Sequence, residues 1–202
     1  MKRIGVLLSG RGSNFKAIFE AIKSGFIEDA EISVVISDKK DAKGLEFARE
    51  NGLNALFVNP KDFSDRKAYD LELVKILKNA NVDIICLAGF MRIISEEFVN
   101  AFENKIINIH PSLLPSFPGL NAQKQALEYG VKFTGCTVHF VDAKVDNGPI
   151  ILQAVVEVKH DDTVETLSDR ILKYEHKIYP MAVKLLVEDK IKVEGRKVII
   201  LD

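Results

Sequence analysis

The sequence predicts a doubly wound, mostly parallel α/β sheet that continues into antiparallel strands. Three observations carry this expectation. The apolar runs Ile4 to Leu8, Ile32 to Ile36 and Val82 to Ala88 lack the polar alternation of half-exposed strands, as suits parallel strands covered on both faces. Segments of helical periodicity separate these runs. After His110 the rhythm changes, and two longer β-rich segments flank a tight turn.

In order along the chain, Phe15, Ile18, Phe19 and Ile22 recur at helical spacing after the first strand, and Gly25 stops that helix. Gly44 to Glu50 reads as a short helix ended by Gly52, and Ala55 to Val58 as a third strand. The amphipathic stretch from Ser64 to Asn79 precedes the buried run at 82–88, Glu96 to Phe102 adds a helix, and Lys105 to Ile109 adds a strand. This half is Rossmann-like, with right-handed crossovers. Ser112 to Gly119 is a proline-rich loop, and Ala122 to Tyr129 a helix ended by Gly130. Phe133 to Val141 and Ile150 to Val158 flank Asp146-Asn-Gly-Pro149 as an antiparallel hairpin would. A long helix is expected from Thr163 to Glu188 with a kink at Pro180. Ile191 to Val193 and Lys197 to Leu201 then pair around Glu194-Gly195-Arg196. No repeat, low-complexity tract or linker interrupts the chain, so one domain is expected.

Composition narrows the function. Across 202 residues, 47% are hydrophobic and 28% charged, as expected of a globular chain with a real core. A formal net charge of -1 gives no long-range field to draw in nucleic acid or an anionic membrane. No apolar run is long enough to span a bilayer, and the N-terminal run is too short for a signal-peptide core. A cytoplasmic location is expected. Cys86 and Cys136 lie in apolar strand-like segments without metal-ligand spacing, so both read as buried free thiols.

Ser9-Gly10-Arg11-Gly12-Ser13-Asn14 sits between the first strand and first helix. Glycines there let the backbone approach an anion, and the helix N-terminus adds free N–H donors. The dinucleotide fingerprint fails, because Phe15 stands where a glycine is needed. Two readings stay open for the loop alone: phosphate binding, or a tight turn capped by Ser13 or Asn14.

Asn108 and His110 lie two apart on a strand and project from one face. Pro111 favours an extended His110, holding the imidazole at the strand exit. Pro115, Pro118 and Gly119 make a stiff loop beyond it, and Asp146 stands downstream in the Gly-Pro turn. An amide, an imidazole and a distant acid suit acyl chemistry, although spacing alone does not bring Asp146 to His110. His139 lies on an alternating strand, with two readings, a ring that faces the site or a satisfied structural histidine, of which the second is favoured; His160 and His176 receive no role.

Five segments occur in order: residues 9–14, Ala-Gly-Phe-Met-Arg at 88–92, Asn-Ile-His-Pro-Ser-Leu-Leu-Pro at 108–115, Asp-Asn-Gly-Pro at 146–149 and Glu-His-Lys-Ile-Tyr-Pro at 175–180. On these segments the chain resembles, over nearly its whole length, the phosphoribosylglycinamide formyltransferases of purine biosynthesis, a family of folate-dependent formyltransferases. The resemblance implies one formyltransferase domain over 1–202, with a phosphate-binding half at about 1–105 and a catalytic and folate-binding half at 106–202. It implies that the amine of glycinamide ribonucleotide attacks the formyl carbon of 10-formyltetrahydrofolate, giving a tetrahedral oxyanion without a metal. Asn108 and His110 would then be donors to that oxyanion, and Asp146 would favour the imidazolium and organise proton transfer.

The resemblance further implies that Gly12, Ser13 and Asn14 hold the substrate phosphate and Glu175 the ribose hydroxyls. An isolated helix glutamate would otherwise read as solvated. Leu172 departs from the polar residue the family often has one turn earlier, with Arg11, Lys173 and Lys177 as possible replacements. Met91, Arg92, Ile93 and Ile94, with Asn108, Asp142, Ala143, Lys144 and Val145, would form the folate site. Arg66 and Arg92 would meet the carboxylates of its glutamate tail. The expected partners are these two small molecules, with no nucleic acid and no membrane, for a monomer or homodimer.

Three alternatives accompany this reading. A methionyl-tRNA formyltransferase would be expected to have a further C-terminal domain and a basic balance. A formyltetrahydrofolate hydrolase usually has a further N-terminal domain. A non-catalytic nucleotide-binding module would explain the glycine loop but not Asn108, His110 and Asp146.

Overall fold

The computed structural model describes residues 1–201. Seven strands hydrogen-bond in the order β3-β2-β1-β4-β5-β6-β7, and a separate two-stranded sheet pairs β8 with β9. The chain forms two compact units, Met1–Ile107 and the remainder from Asn108, so the division falls within β5.

In the first unit, β1 (Lys2–Leu8), β2 (Ala30–Ser37), β3 (Ala55–Phe57) and β4 (Ile84–Leu87) alternate with α1 (Ser13–Lys23), α2 (Lys43–Glu50) and α3 (Arg66–Asn79). The β1–β2, β1–β4 and β2–β3 pairings are all parallel. As the continuous apolar runs predict, Ile4, Val6, Leu7 and Leu8 are all fully buried. α3 covers the sheet with Tyr69, Leu73 and Leu77, each fully buried. Gly5 allows that contact, since a Cβ there would lie 2.7 Å from a Leu77 methyl. α3 starts at Arg66, two residues later than its periodicity suggests, because the Asp65 carboxylate caps it by accepting the Ala68 N–H at 2.8 Å. α4 (Glu96–Ala101) is capped by Ser95.

In the second unit, the end of β5 (Ile106–His110) leads through the proline-rich loop to α5 (Ala122–Tyr129). The Leu114–Pro115 bond is cis. β6 (Phe133–Phe140) and β7 (Ile150–Glu157) form the predicted antiparallel hairpin, with a register shift at Val138/His139. α6 (Val164–Val187) begins with a Thr163–Thr166 capping box and runs as one helix through Pro180. It closes a core of Cys136, Val156, Leu167 and Ile171 against the hairpin. The predicted C-terminal pair is β8 (Ile191–Glu194) with β9 (Lys197–Ile200). Cys86 and Cys136 are buried free thiols, as expected.

Candidate active site

In the first unit the glycine loop follows β1. Gly12, at φ +67°, is the N-cap of α1, and no side chain caps that helix. The expectation of a Ser13 or Asn14 cap is therefore corrected: the left-handed turn at Gly12 already starts the helix, leaving first-turn N–H groups for another acceptor. The loop is fitted tightly against α2, with Gly44 N–H donating to the Gly10 carbonyl at 3.0 Å. A Cβ on Gly12 would lie 3.1 Å from Gly44 Cα. Residues 9–14 line a cavity of about 250 Å³ together with Ala88, Gly89 and Met91. Two hydrogen bonds shape it: Ser9 N–H to the Gly89 carbonyl at 3.0 Å, and Met91 N–H to Ser9 Oγ at 2.9 Å. An open α1 N-terminus with no acidic residue in its first turn favours an anion electrostatically.

The residues expected around the folate divide by exposure. Met91 and Ile93 are exposed and Ile94 is buried. Arg92 lies over the Tyr69 ring, 4.9 Å from its centroid. Asp70, one helical turn after Arg66, accepts the Ser95 N–H. Burial raises the Asp70 carboxyl above its ordinary range, while the Ser95 hydrogen bonds and then the charges of Arg66 and Arg92 act the other way.

In the second unit Asn108, His110 and Asp146 come together, and His139 joins them. His110, 6% exposed, has Nδ1 3.4 Å from Asp146 Oδ2 and Nε2 2.8 Å from the Phe117 carbonyl. The ring thus faces acceptors on both sides, and only the imidazolium donates to both. Asp146 also accepts the Gly119 N–H at 2.8 Å. Asn108 Nδ2 is 3.5 Å from His139 Nε2, which is itself 3.9 Å from Asp146 Oδ1.

His139 is satisfied, as expected, through Nδ1 donating to the Phe140 carbonyl at 2.8 Å. Its other nitrogen faces the cluster, the less favoured of the two readings of the sequence, so both hold at once. Burial pushes this histidine below its ordinary value, against the pull of Asp146. The neutral ring with its proton on Nδ1 leaves Nε2 to accept from Asn108 and orient the amide.

Sequence reasoning also missed the residues that hold the proline-rich loop. Thr137 is fully buried; its hydroxyl donates to the Ser112 carbonyl at 2.7 Å and accepts the Leu114 N–H at 3.1 Å. Gln153, opposite it on β7, donates to the Leu114 carbonyl at 3.0 Å. The available signal was a cross-strand pair of polar side chains within two β-rich segments. Glu175 is 7% exposed, so the solvated alternative fails. Its charge, after burial, helps push the Cys136 thiol up to about 12. Leu172 is half-buried, whereas Lys173 and Lys177 are exposed. Asp142 folds its loop inward, accepting the Lys144 N–H at 2.9 Å and the Asn147 amide at 2.7 Å; Ala143, Lys144 and Val145 are exposed. Among the described residues no group of three or more His, Cys, Asp or Glu is placed to hold a metal ion, and no helix is long and apolar enough to cross a membrane.

The formyl transferase family model matches residues 2–183, and the chain belongs to that family. Among characterised proteins it is similar to the phosphoribosylglycinamide formyltransferase of Bacillus subtilis (strain 168), 43% identical over 187 residues covering 93% of this chain and 95% of that protein. It is 50% identical over 187 residues to the trifunctional purine biosynthetic protein adenosine-3 of Drosophila melanogaster; the match covers 92% of this chain but only 14% of that much longer protein. The crystal structure of glycinamide ribonucleotide transformylase 1 from Symbiobacterium toebii superposes with a TM-score of 0.98 at 54% identity, covering all of this chain and 95% of that one.

Proposed function

We propose that the chain transfers the formyl group of 10-formyltetrahydrofolate to the amine of glycinamide ribonucleotide. The observation that carries this reading is the approach of Asp146 Oδ2 to His110 Nδ1 at 3.4 Å beside the Asn108 amide, in a chain of the formyl transferase family.

The amine lone pair forms a bond to the formyl carbon, and the carbonyl π pair moves onto oxygen. Asn108 N–H and the His110 imidazolium stabilise that oxyanion; losing one such donor typically costs about 10²–10³ in rate. The amine then gives up a proton as the folate nitrogen gains one, and the carbon–nitrogen bond to folate breaks as the carbonyl re-forms. Asp146, 3.4 Å from His110 Nδ1, orients the ring and organises that proton transfer. The Nε2 proton that His110 gives the Phe117 carbonyl at 2.8 Å is the one available to share with the oxyanion, since Nδ1 faces Asp146. No step calls for a metal.

Gly12, Ser13 and Asn14 bind the phosphate through the α1 N-terminus, and Glu175 takes the ribose hydroxyls. Met91 to Ile94, Asn108 and Asp142 to Val145 hold the pterin, and Arg66 and Arg92 the glutamate carboxylates. Both ligands are soluble small molecules, consistent with work in the cytoplasm by a monomer or homodimer. The reading assigns the whole of 1–202 to one formyltransferase domain.

A spectrophotometric assay tests this choice: 10-formyltetrahydrofolate alone, with glycinamide ribonucleotide, or with charged initiator tRNA. Deformylation of the folate only with the ribonucleotide is expected. Release without any acceptor would make the chain a hydrolase, and no reaction in any arm would reject transfer altogether.

A further inference from the structure

We propose that Arg196, in the turn of the β8–β9 hairpin, is a positioning residue that holds the Asp142–Asn147 loop and thereby the Asp146 carboxylate. The inference rests on the formyl-transfer reading for its catalytic consequence, but the contact itself is structural. Arg196 Nη2 donates to the Asn147 carbonyl at 2.7 Å. This arm lies outside residues 2–183, the stretch the family model matches.

The loop needs holding because Asp146 has φ +49°, a conformation unfavourable for a residue with a side chain and kept only where the surroundings enforce it. Several contacts enforce it here. At the base, Gly148 packs onto β6 so closely that a Cβ would sit 1.8 Å from the Phe140 carbonyl oxygen. Within the loop, Asn147 Nδ2 donates to Asp142 Oδ2 at 2.7 Å. Gly119 N–H meets Asp146 Oδ2 at 2.8 Å, on the side of His110. Arg196 fixes the carbonyl of the very next residue, Asn147, from the C-terminal arm.

That arm is braced to do so. β8 and β9 pair from Ile191↔Ile200 to Glu194↔Lys197, and Leu201 N–H closes the base on the Lys190 carbonyl at 2.9 Å. Gly195, at φ +60°, permits the tight turn that presents Arg196. β9 also packs beside β7, the strand that leaves the Asp146 turn. A guanidinium donor to a carbonyl is a charge-assisted hydrogen bond, stronger than a neutral one. The same loop carries both Asp146 and the proposed folate residues Asp142 to Val145, so its loosening acts on the donor and on turnover rather than on the ribonucleotide.

The test compares wild type, Arg196→Ala and Arg196→Lys in full-length protein by amide hydrogen exchange and steady-state kinetics. In Arg196→Ala, amides 142–148 are expected to exchange about three- to tenfold faster, with KM for 10-formyltetrahydrofolate rising by a similar factor and kcat falling. KM for glycinamide ribonucleotide stays within about twofold, and Tm within about 2 °C, as for a surface substitution. Arg196→Lys restores part of the loss, because a single bond to a carbonyl does not require the guanidinium fork. Unchanged exchange at 142–148 would overturn the proposal. So would faster exchange with unaltered kinetics, or an equal rise in both KM values. Inactivity of the wild type with both substrates would instead sink the formyl-transfer reading, leaving hydrogen exchange to judge the Arg196 contact.

Discussion

The Asp146 carboxylate stands 3.4 Å from His110 Nδ1 while the opposite nitrogen of that ring is held 2.8 Å from the Phe117 carbonyl. The imidazole is thus oriented at both ends, one by an acid on the β6–β7 turn and one by the loop that follows β5. Asp146→Asn removes the charge but keeps the shape, and His110→Ala removes a donor to the oxyanion. Each is expected to lower kcat by at least about 10², with ribonucleotide binding still measurable by calorimetry. Near-normal turnover in both variants would withdraw the catalytic assignment.

Glu175 and Gly12 test the ribonucleotide contacts separately from the chemistry. Glu175→Ala is expected to raise KM for glycinamide ribonucleotide about tenfold or more, by leaving ribose hydroxyls unpaired. Gly12→Ala forces an alanine into φ +67° with its Cβ 3.1 Å from Gly44 Cα, which costs about 1 kcal/mol or more. It is expected to weaken phosphate binding while KM for the folate changes little. If neither variant alters the ribonucleotide KM, these contacts are wrongly assigned.

Thr137 links the hairpin to the proline-rich loop. Thr137→Val keeps the side-chain volume but strands the Leu114 N–H and the Ser112 carbonyl, both bonded to its hydroxyl at 3.1 and 2.7 Å. The expected loss is about 1–3 kcal/mol, read as a lower urea midpoint at unchanged slope. Wild-type stability in this variant would mean that the loop finds other partners.

Burial sets the pH response of His139. Its folded value lies below the ordinary 6.5, so between the two values the unfolded chain binds more protons than the folded one. Stability therefore rises with pH across that window: it is fully present above about 6.5 and is lost as pH falls toward the folded value, with a limiting slope of about 1.4 kcal/mol per pH unit for one proton. Urea denaturation from about pH 7.5 to 5.5 is expected to show a shallower fall in His139→Gln than in wild type. His176 is shifted in the same direction by burial, so some slope remains. Parallel profiles would mean that His139 does not titrate with folding.

The parallel sheet and its antiparallel continuation were legible in the sequence, because strand and helix periodicities are written in near neighbours along the chain. The position of the glycine loop and the shared face of Asn108 and His110 follow from the same local rules. The tertiary structure alone decided which distant groups meet. Asp146 reaches His110 only because the β6–β7 hairpin takes one register, with a shift at Val138/His139 that no local pattern announces. The same register turns His139 Nε2 toward Asn108, an orientation that strand alternation allowed but did not select. Glu175, which spacing alone would leave in solvent, is buried because α6 turns that face onto the hairpin core. Side-chain type and period are local properties, whereas the approach of two groups depends on register, turn geometry and packing. Asn108 and His110 could therefore be named from the sequence, but their arrangement with Asp146 and His139 could not.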